Sequence, residues 1–332
     1  MFSCTGLYLS LLTVATHALP VLPRSAPNLA SSGDAPFSVS QDTLAAALTC
    51  PNGNPTASSP GVLLVHGTTS TGAETWAEGY VPALKANGYT ACYVTLPNRA
   101  MGDMQVSSEY IAYNLKYLSL LSNGAQVAVI SHSQGGPDTQ WALRFWPSAR
   151  AVTRAFIPLS PDFTGVALLD SRLSPVCRGI QCQASLWQQA QGSNYYRALQ
   201  AKDFRALVPT TAIYTLTDEV VVPSAPNAAL PGAKVLAIQQ LCPLRITDHV
   251  FMTIDAAAFA FALDALNHGG TASLTRTLPS ALTACFRVEA KGMQVSITNQ
   301  LEGDINSLVD GIILGAGAPR LSAEPAVKSY AL

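Results

Sequence analysis

A mostly parallel, doubly wound α/β sheet with helices on both faces is predicted for this chain, on three observations. Short all-apolar runs alternate along it with segments of helical periodicity, the composition of strands buried on both faces of a parallel sheet. Polar residues gather where those runs end, at the strand C-termini where open α/β sheets carry their sites. One run, Ala125-Gln126-Val127-Ala128-Val129-Ile130, leads straight into Ser131-His132-Ser133-Gln134-Gly135-Gly136. A helical pattern follows, with Trp141, Ala142 and Phe145 on one face and Pro147 as its stop. A strand, a sharp turn tipped by serine and a helix form the context of a nucleophile elbow, in which small residues must flank the serine at two positions on either side. Gly135 meets that demand on one side, and Ser131 stands where glycine is usual on the other.

The elements follow in order. Leu7 to Val14 is an apolar run too short to cross a bilayer, which takes about 20 residues. Thr16-His17-Ala18 places small residues for signal peptidase, so residues 1–18 read as a secretory signal peptide and the protein as secreted. No later stretch reads as transmembrane. Leu19 to Pro27 is proline-rich and includes Arg24, and residues 19–35 read as a loose leader or a propeptide; residues 36–332 read as one domain. Cys50 to Pro60 is loop by its Pro, Gly, Asn and Ser content. Val62 to Val65 is a strand running into His66-Gly67-Thr68-Thr69-Ser70-Thr71-Gly72, and a second strand spans Tyr89 to Leu96. Val106, Tyr110, Tyr113, Tyr117 and Leu121 recur at helical spacing. After the elbow come strands over Arg154 to Leu159, Thr211 to Leu216 and Lys234 to Leu241. The second of these ends in Thr217-Asp218-Glu219, and the third stops just short of Asp248-His249. Ile305, Leu308, Val309, Ile312 and Ile313 form one apolar helical stripe that ends at Gly315.

Charge narrows the functions. Only 12% of the residues are charged and the net charge is −1, against a usual charged share of about 25%. No basic face points to nucleic acid, and no charge excess points to disorder. Of seven cysteines, Cys4 leaves with the signal, and six in an oxidising compartment fit three disulfides. Cys177 and Cys182 are near enough in sequence to pair locally; the pairing among Cys50, Cys92, Cys242 and Cys285 stays open at this point. No paired C-x-x-C spacing suggests zinc.

A serine hydroxyl needs a histidine to take its proton, and the histidine needs an acid to hold its tautomer. His17 departs with the signal, His66 and His132 are fixed by turns, and His268 reads as a helix C-terminus. His249 follows the last strand, downstream of an acid-bearing loop, in the order Ser, Asp or Glu, His of α/β-hydrolases. Asp218 is the preferred acid, with Glu219 as its rival; Asp248 is a sequence neighbour of His249 and poorly placed to meet it. The oxyanion requires backbone N–H donors. Gln134, the residue after the nucleophile, supplies one, and Thr68 the other, with its hydroxyl as a possible third.

These segments together resemble the Candida antarctica lipase B family of secreted fungal lipases. The likeness runs through Leu63-Leu64-Val65-His66-Gly67-Thr68, Ser133-Gln134-Gly135-Gly136, Gln140-Trp141-Ala142-Leu143 and Ser160-Pro161-Asp162-Phe163-Thr164-Gly165. It continues through Leu186-Trp187-Gln188-Gln189 and Tyr214-Thr215-Leu216-Thr217-Asp218-Glu219-Val220 to Ile246-Thr247-Asp248-His249. It covers roughly Pro36 to Cys285, with a weaker tail. The resemblance implies the α/β-hydrolase fold, a triad of Ser133, Asp218 and His249, and an oxyanion hole at Thr68 and Gln134. It implies that Asp162 and Gln189 line the pocket beside the nucleophile, and that the stripe around Ile312 borders its mouth. It pairs Cys50 with Cys92 and Cys242 with Cys285. The chain departs from the family in adding the Cys177 to Cys182 pair, in lacking the cysteines of a C-terminal disulfide, and in placing His132 where the family's tryptophan floors the alcohol pocket. His132 is therefore expected to give a lower, wetter floor; the competing idea makes it a base.

The expectation is a secreted serine ester hydrolase, a triacylglycerol lipase or carboxylesterase, working through an acyl-enzyme without metal or cofactor. It is expected to be a monomer and to take ester or lipid substrates, in part at a lipid–water interface. An amidase or peptidase with the same triad, or a catalytically silent α/β-hydrolase used for binding, are the alternatives.

Overall fold

The structure, a computed structural model, describes residues 25–167, 177, 179, 181–295 and 317–332. Its strands in chain order are β1 (Leu48–Thr49), β2 (Gly61–Val65), β3 (Thr90–Val94), β4 (Val127–His132), β5 (Thr153–Leu159), β6 (Cys182–Gln183), β7 (Thr211–Tyr214), β8 (Lys234–Ala237) and β9 (Arg320–Leu321). Seven of them form one sheet in the order β1-β3-β2-β4-β5-β7-β8. All its pairings are parallel except β1 with β3. From β2 the chain passes to β3 on one side and then crosses to β4 on the other. That reversal opens a crevice at the carboxyl ends of β2 and β4, the place where doubly wound sheets bind ligands.

The strands are apolar on both faces because both faces are covered. Val62, Leu64, Ala128, Ile130, Ala155 and Ile157 share one buried layer with the helices Tyr80–Ala86 and Ala256–Asn267. Leu63, Val65, Val127, Val129 and Phe156 share the other with the helices Met104–Leu121 and Gly135–Phe145. The alternation is the period-two pattern of a strand, with apolar residues required at every position.

Strand ends differ from the sequence reading in ways that matter for the site. β4 runs on to His132, so Ser133 follows the last strand residue directly. β7 stops at Tyr214, and β8 stops at Ala237, where Ile238–Gln240 turns into a 3₁₀ helix and the Gln240 side chain accepts from the Ala237 N–H at 3.0 Å. Pro147 does not merely stop a helix; it opens the short helix Pro147–Ala151 at its first position, where a missing N–H costs nothing.

The stretch expected as a loose leader is tied down in its described part. Pro27 C=O accepts from the Tyr113 hydroxyl at 3.0 Å, and Asp34 forms a buried ion pair with Lys116 at 3.0 Å. Lys116 also donates to the Leu29 carbonyl. Ala35 N–H donates to Phe145 C=O at 2.8 Å. These contacts cover the outer side of the helix Met104–Leu121, which is why that helix buries far more than the single stripe its sequence suggests. Residues 1–18, expected as a signal peptide, and the stripe around Ile312 lie outside the described residues.

Disulfides join Cys50 to Cys92, Cys177 to Cys182 and Cys242 to Cys285. Cys242–Cys285 spans 43 residues and Cys177–Cys182 spans 5. Chain-entropy arguments give about 4 kcal/mol for the long loop and about 2 kcal/mol for the short one. Replacing Cys242 and Cys285 together by serine should therefore cost about twice the unfolding free energy lost on replacing Cys177 and Cys182, as measured by denaturant titration. Equal losses would contradict the loop-length account.

Candidate active site

The turn after β4 has a non-glycine residue in the left-handed region, Ser133 at φ 53°. Such backbone is unfavourable for an L-residue and persists only where its surroundings enforce it. Ser133 N–H donates to Leu159 C=O at 3.0 Å, and Gly136 N–H returns to Ser133 C=O at 2.8 Å. Behind the turn, a Cβ on Gly135 would sit 2.8 Å from the carbonyl oxygen of His66 and 2.9 Å from that of Val65. In front, a Cβ on Gly67 would sit 2.7 Å from that of Ser133. The loop after β2 and the serine turn thus pack backbone to backbone, and glycine is required at both contacts.

Among the described histidines, His249 is the one whose ring meets a buried carboxylate. Its Nδ1 lies 3.0 Å from Asp218 Oδ1 and 2.9 Å from Oδ2. Asp218 Oδ1 also accepts from the N–H groups of Val220 at 3.1 Å and Val221 at 2.8 Å. Burial works to raise the Asp218 pKa, but the hydrogen bond and charge of His249 outweigh it and hold the carboxyl below its usual value. Burial works to lower the His249 pKa, and the bond and charge of Asp218 outweigh it in turn, so the imidazole is raised above 6.5. The two shifts agree: each group stabilises the charged form of the other.

The rival acids do different work. Asp248 is exposed and accepts from Phe251 N–H at 2.8 Å, a local turn. Glu219 Oε2 accepts from the His249 backbone N–H at 3.0 Å, so it holds the main chain of the histidine and not its ring. His66 is buried and structural: Nδ1–H donates to Gly67 C=O at 2.8 Å and Nε2 accepts from Leu96 N–H at 2.9 Å. Burial lowers its pKa to about 4. His268 lies at the C-terminus of Ala256–Asn267 beside Asp264.

On the oxyanion side, the backbone N–H groups of Thr68 and Gln134 have no hydrogen-bond partner among the described residues. The Thr68 hydroxyl lies 2.6 Å from Gln134 Oε1 and 3.0 Å from Gln189 Oε1. Its one proton is directed to a glutamine amide oxygen. Gln189 Nε2 donates to the same Gln134 oxygen at 3.0 Å, and Gln134 Nε2 donates to Asp138 Oδ2 at 3.1 Å. Arg99 braces the loop from outside, through Thr69 C=O at 2.7 Å and an ion pair with Glu74 at 2.6 Å.

Asp162 is fully buried; Oδ2 accepts from the Tyr196 hydroxyl at 2.9 Å and Oδ1 has no hydrogen-bond partner among the described residues. Burial pushes its pKa up to about 6, against the Tyr196 bond. His132 is also buried. Its Nε2 lies 2.9 Å from the His249 carbonyl oxygen, and the two rings are 4.7 Å apart between centroids. The polar nitrogen expected to wet a pocket floor is thus already bonded to the backbone. Sequence reasoning missed Asp138 and Tyr195, whose hydroxyl donates to Asp138 Oδ1 at 3.3 Å. The i, i+4 spacing of Gln134 and Asp138 at the start of a helix was the available signal for the first.

No family model matches the chain. Lipase B of Pseudozyma antarctica is 29% identical over 338 residues, covering 100% of this chain and 95% of that protein. The crystal structure of Aspergillus fumigatus lipase B aligns with a TM-score of 0.81 at 32% identity, covering 93% of this chain and 77% of that one. The chain therefore belongs to the lipase B family and is a carboxylic-ester hydrolase of the α/β-hydrolase fold.

Proposed function

We infer that Ser133, His249 and Asp218 carry out the ester hydrolysis as nucleophile, base and acid, on lipid esters such as triacylglycerols and on simpler esters. The observation that carries the reading is the buried pairing of both Asp218 oxygens with His249 Nδ1. With Nδ1–H donated to the carboxylate, Nε2 is left unprotonated to take the Ser133 proton. Ser133 Oγ attacks the ester carbonyl carbon, and His249 becomes an imidazolium steadied by Asp218. The carbonyl oxygen gains its negative charge against the N–H groups of Thr68 and Gln134. The tetrahedral intermediate collapses as His249 gives the proton to the leaving alcohol. Water then attacks the acyl-enzyme by the same steps in reverse order of partners, and Ser133 is regenerated. Asp162 and Gln189 act as pocket-lining residues, and the three disulfides suit export through an oxidising compartment after removal of residues 1–18.

Ser133→Ala and His249→Ala should each lower turnover by about 10⁶-fold, and Asp218→Asn by about 10⁴-fold, because the three act as a unit. Asp248→Asn should stay within severalfold of wild type. Loss of activity in Asp248→Asn, with Asp218→Asn active, would overturn the assignment of the acid.

The pH profile has a definite sign. The base must be neutral, and Asp218 raises the His249 pKa above 6.5. Activity should therefore be full at alkaline pH and fall through an apparent pKa above 6.5 as pH drops. An acid limb below that value, measured as kcat/KM on a soluble ester, would show that His249 is not held by Asp218 in the free enzyme.

Substrate class is tested with esters of rising acyl length, offered dissolved and emulsified, with Ser133→Ala as control. A lipase should hydrolyse long-chain esters and gain rate on the emulsion. Confinement to short dissolved esters would make the protein a carboxylesterase only.

A further inference from the structure

His249 sits on a stretch without regular structure, between the 3₁₀ helices Ile238–Gln240 and Phe251–Thr253. Such a stretch has no ladder to fix its peptide groups, so side chains from elsewhere must do it. The Thr247 carbonyl accepts from Thr215 Oγ1 at 2.9 Å and Thr217 Oγ1 at 2.7 Å, and the Arg245 carbonyl from Gln239 Nε2 at 3.1 Å. At His249 itself, Glu219 holds the N–H and His132 holds the C=O. A carbonyl oxygen can only accept, so the contact at 2.9 Å requires the proton on His132 Nε2. His132 is the chain neighbour of Ser133. Its ring thus spans from the residue before the nucleophile to the main chain of the base, in side-by-side contact with the base's own ring.

We propose that His132 is a positioning residue for the hydrolysis: its Nε2–H, held by the His249 carbonyl, sets the distance between the base and Ser133. The proposal rests on the reading of Ser133 and His249 given above. Proton transfer from a serine hydroxyl needs the acceptor within about 2.6–3.2 Å, and displacements of about 1 Å cost up to about 100-fold in rate. Asp218 fixes the ring at Nδ1 and Glu219 fixes the N–H of the same residue, which leaves its carbonyl side unheld. His132 supplies that third anchor, so the main chain of the base is held on both sides of Cα. The arrangement also keeps His132 out of proton transfer, since burial and the neighbouring His249 lower its pKa to about 3 and its donor nitrogen is in use.

The test contrasts two amides of the same chemistry in the full-length enzyme. In His132→Gln the amide nitrogen is as many bonds from Cα as histidine Nε2 and reaches the carbonyl; in His132→Asn it is one bond short. His132→Gln should keep kcat on a short dissolved ester within about threefold of wild type, and His132→Asn should lose about 10- to 100-fold. The far-downfield proton resonance of His249 Nδ1–H should persist in the first and broaden or vanish in the second, with both thermal midpoints alike. Equal activity of the two variants, whether at the wild-type level or equally reduced, would overturn the proposal. So would a loss in His132→Asn that follows its thermal midpoint with the resonance unchanged. His249→Ala separates the two claims: if it stays active, the reading of the base fails, and if it is inactive while Gln and Asn behave alike, only the role of His132 fails.

Discussion

The close approach of the loop after β2 to the serine turn after β4 is the constraint on which the rest of the site depends. Gly67 and Gly135 allow it, since a Cβ at either would lie within 2.9 Å of neighbouring atoms. That approach forces Ser133 to φ 53°, a conformation that costs about 1–2 kcal/mol for an L-residue. The cost brings three groups to one place at the sheet's switch point. The serine hydroxyl is lifted off the strand, the Gln134 N–H is turned outward at the head of a helix, and Thr68 is carried alongside. The helix Gly135–Phe145 adds its own field, because the positive end of its dipole lies at this turn.

The same logic explains why the base is held so differently from the nucleophile. β7 and β8 end early, and beyond them the chain must satisfy each peptide group without a ladder. Asp255 ties the whole region together: it caps the helix Ala256–Asn267, pairs with Arg245 at 2.6 Å and accepts from Thr247 Oγ1 at 2.7 Å. Cys242–Cys285 closes the outer edge. The histidine stretch is therefore held through side-chain bonds, whereas the elbow is held through backbone contacts that admit only glycine.

What was legible in the sequence follows from this difference. Strands buried on both faces advertise themselves as apolar runs, and an elbow must show small residues around a serine, so the sheet and Ser133 could be read directly. Asp218 could be preferred over Asp248 because chain neighbours on an irregular stretch seldom face each other, and the structure has Asp248 bonded to Phe251 instead. Partners of single side chains were not legible. Nothing in the sequence says that Glu219 reaches the His249 N–H, that Lys116 meets Asp34, or that His132 meets a carbonyl 117 residues away. The docking of residues 26–35 was hidden for the same reason: a short stretch of small and polar residues reads as loose until the helix it covers is seen.

Three buried carboxyls lie in this region, and burial and their partners set them apart. Asp218 receives two backbone N–H groups and an imidazole, which keep it ionised. Asp162 has one tyrosine hydroxyl and an oxygen with no partner among the described residues, and rises to about 6. Asp138 is driven well above the usual range by burial, despite bonds from Gln134 and Tyr195. A full anion at Asp162 would raise the imidazole further and leave less of it neutral at neutral pH, and a single donor at Asp162 limits that effect. Of the charges that raise His249, that of Asp218 at its ring comes first and that of Glu219 at its N–H comes next.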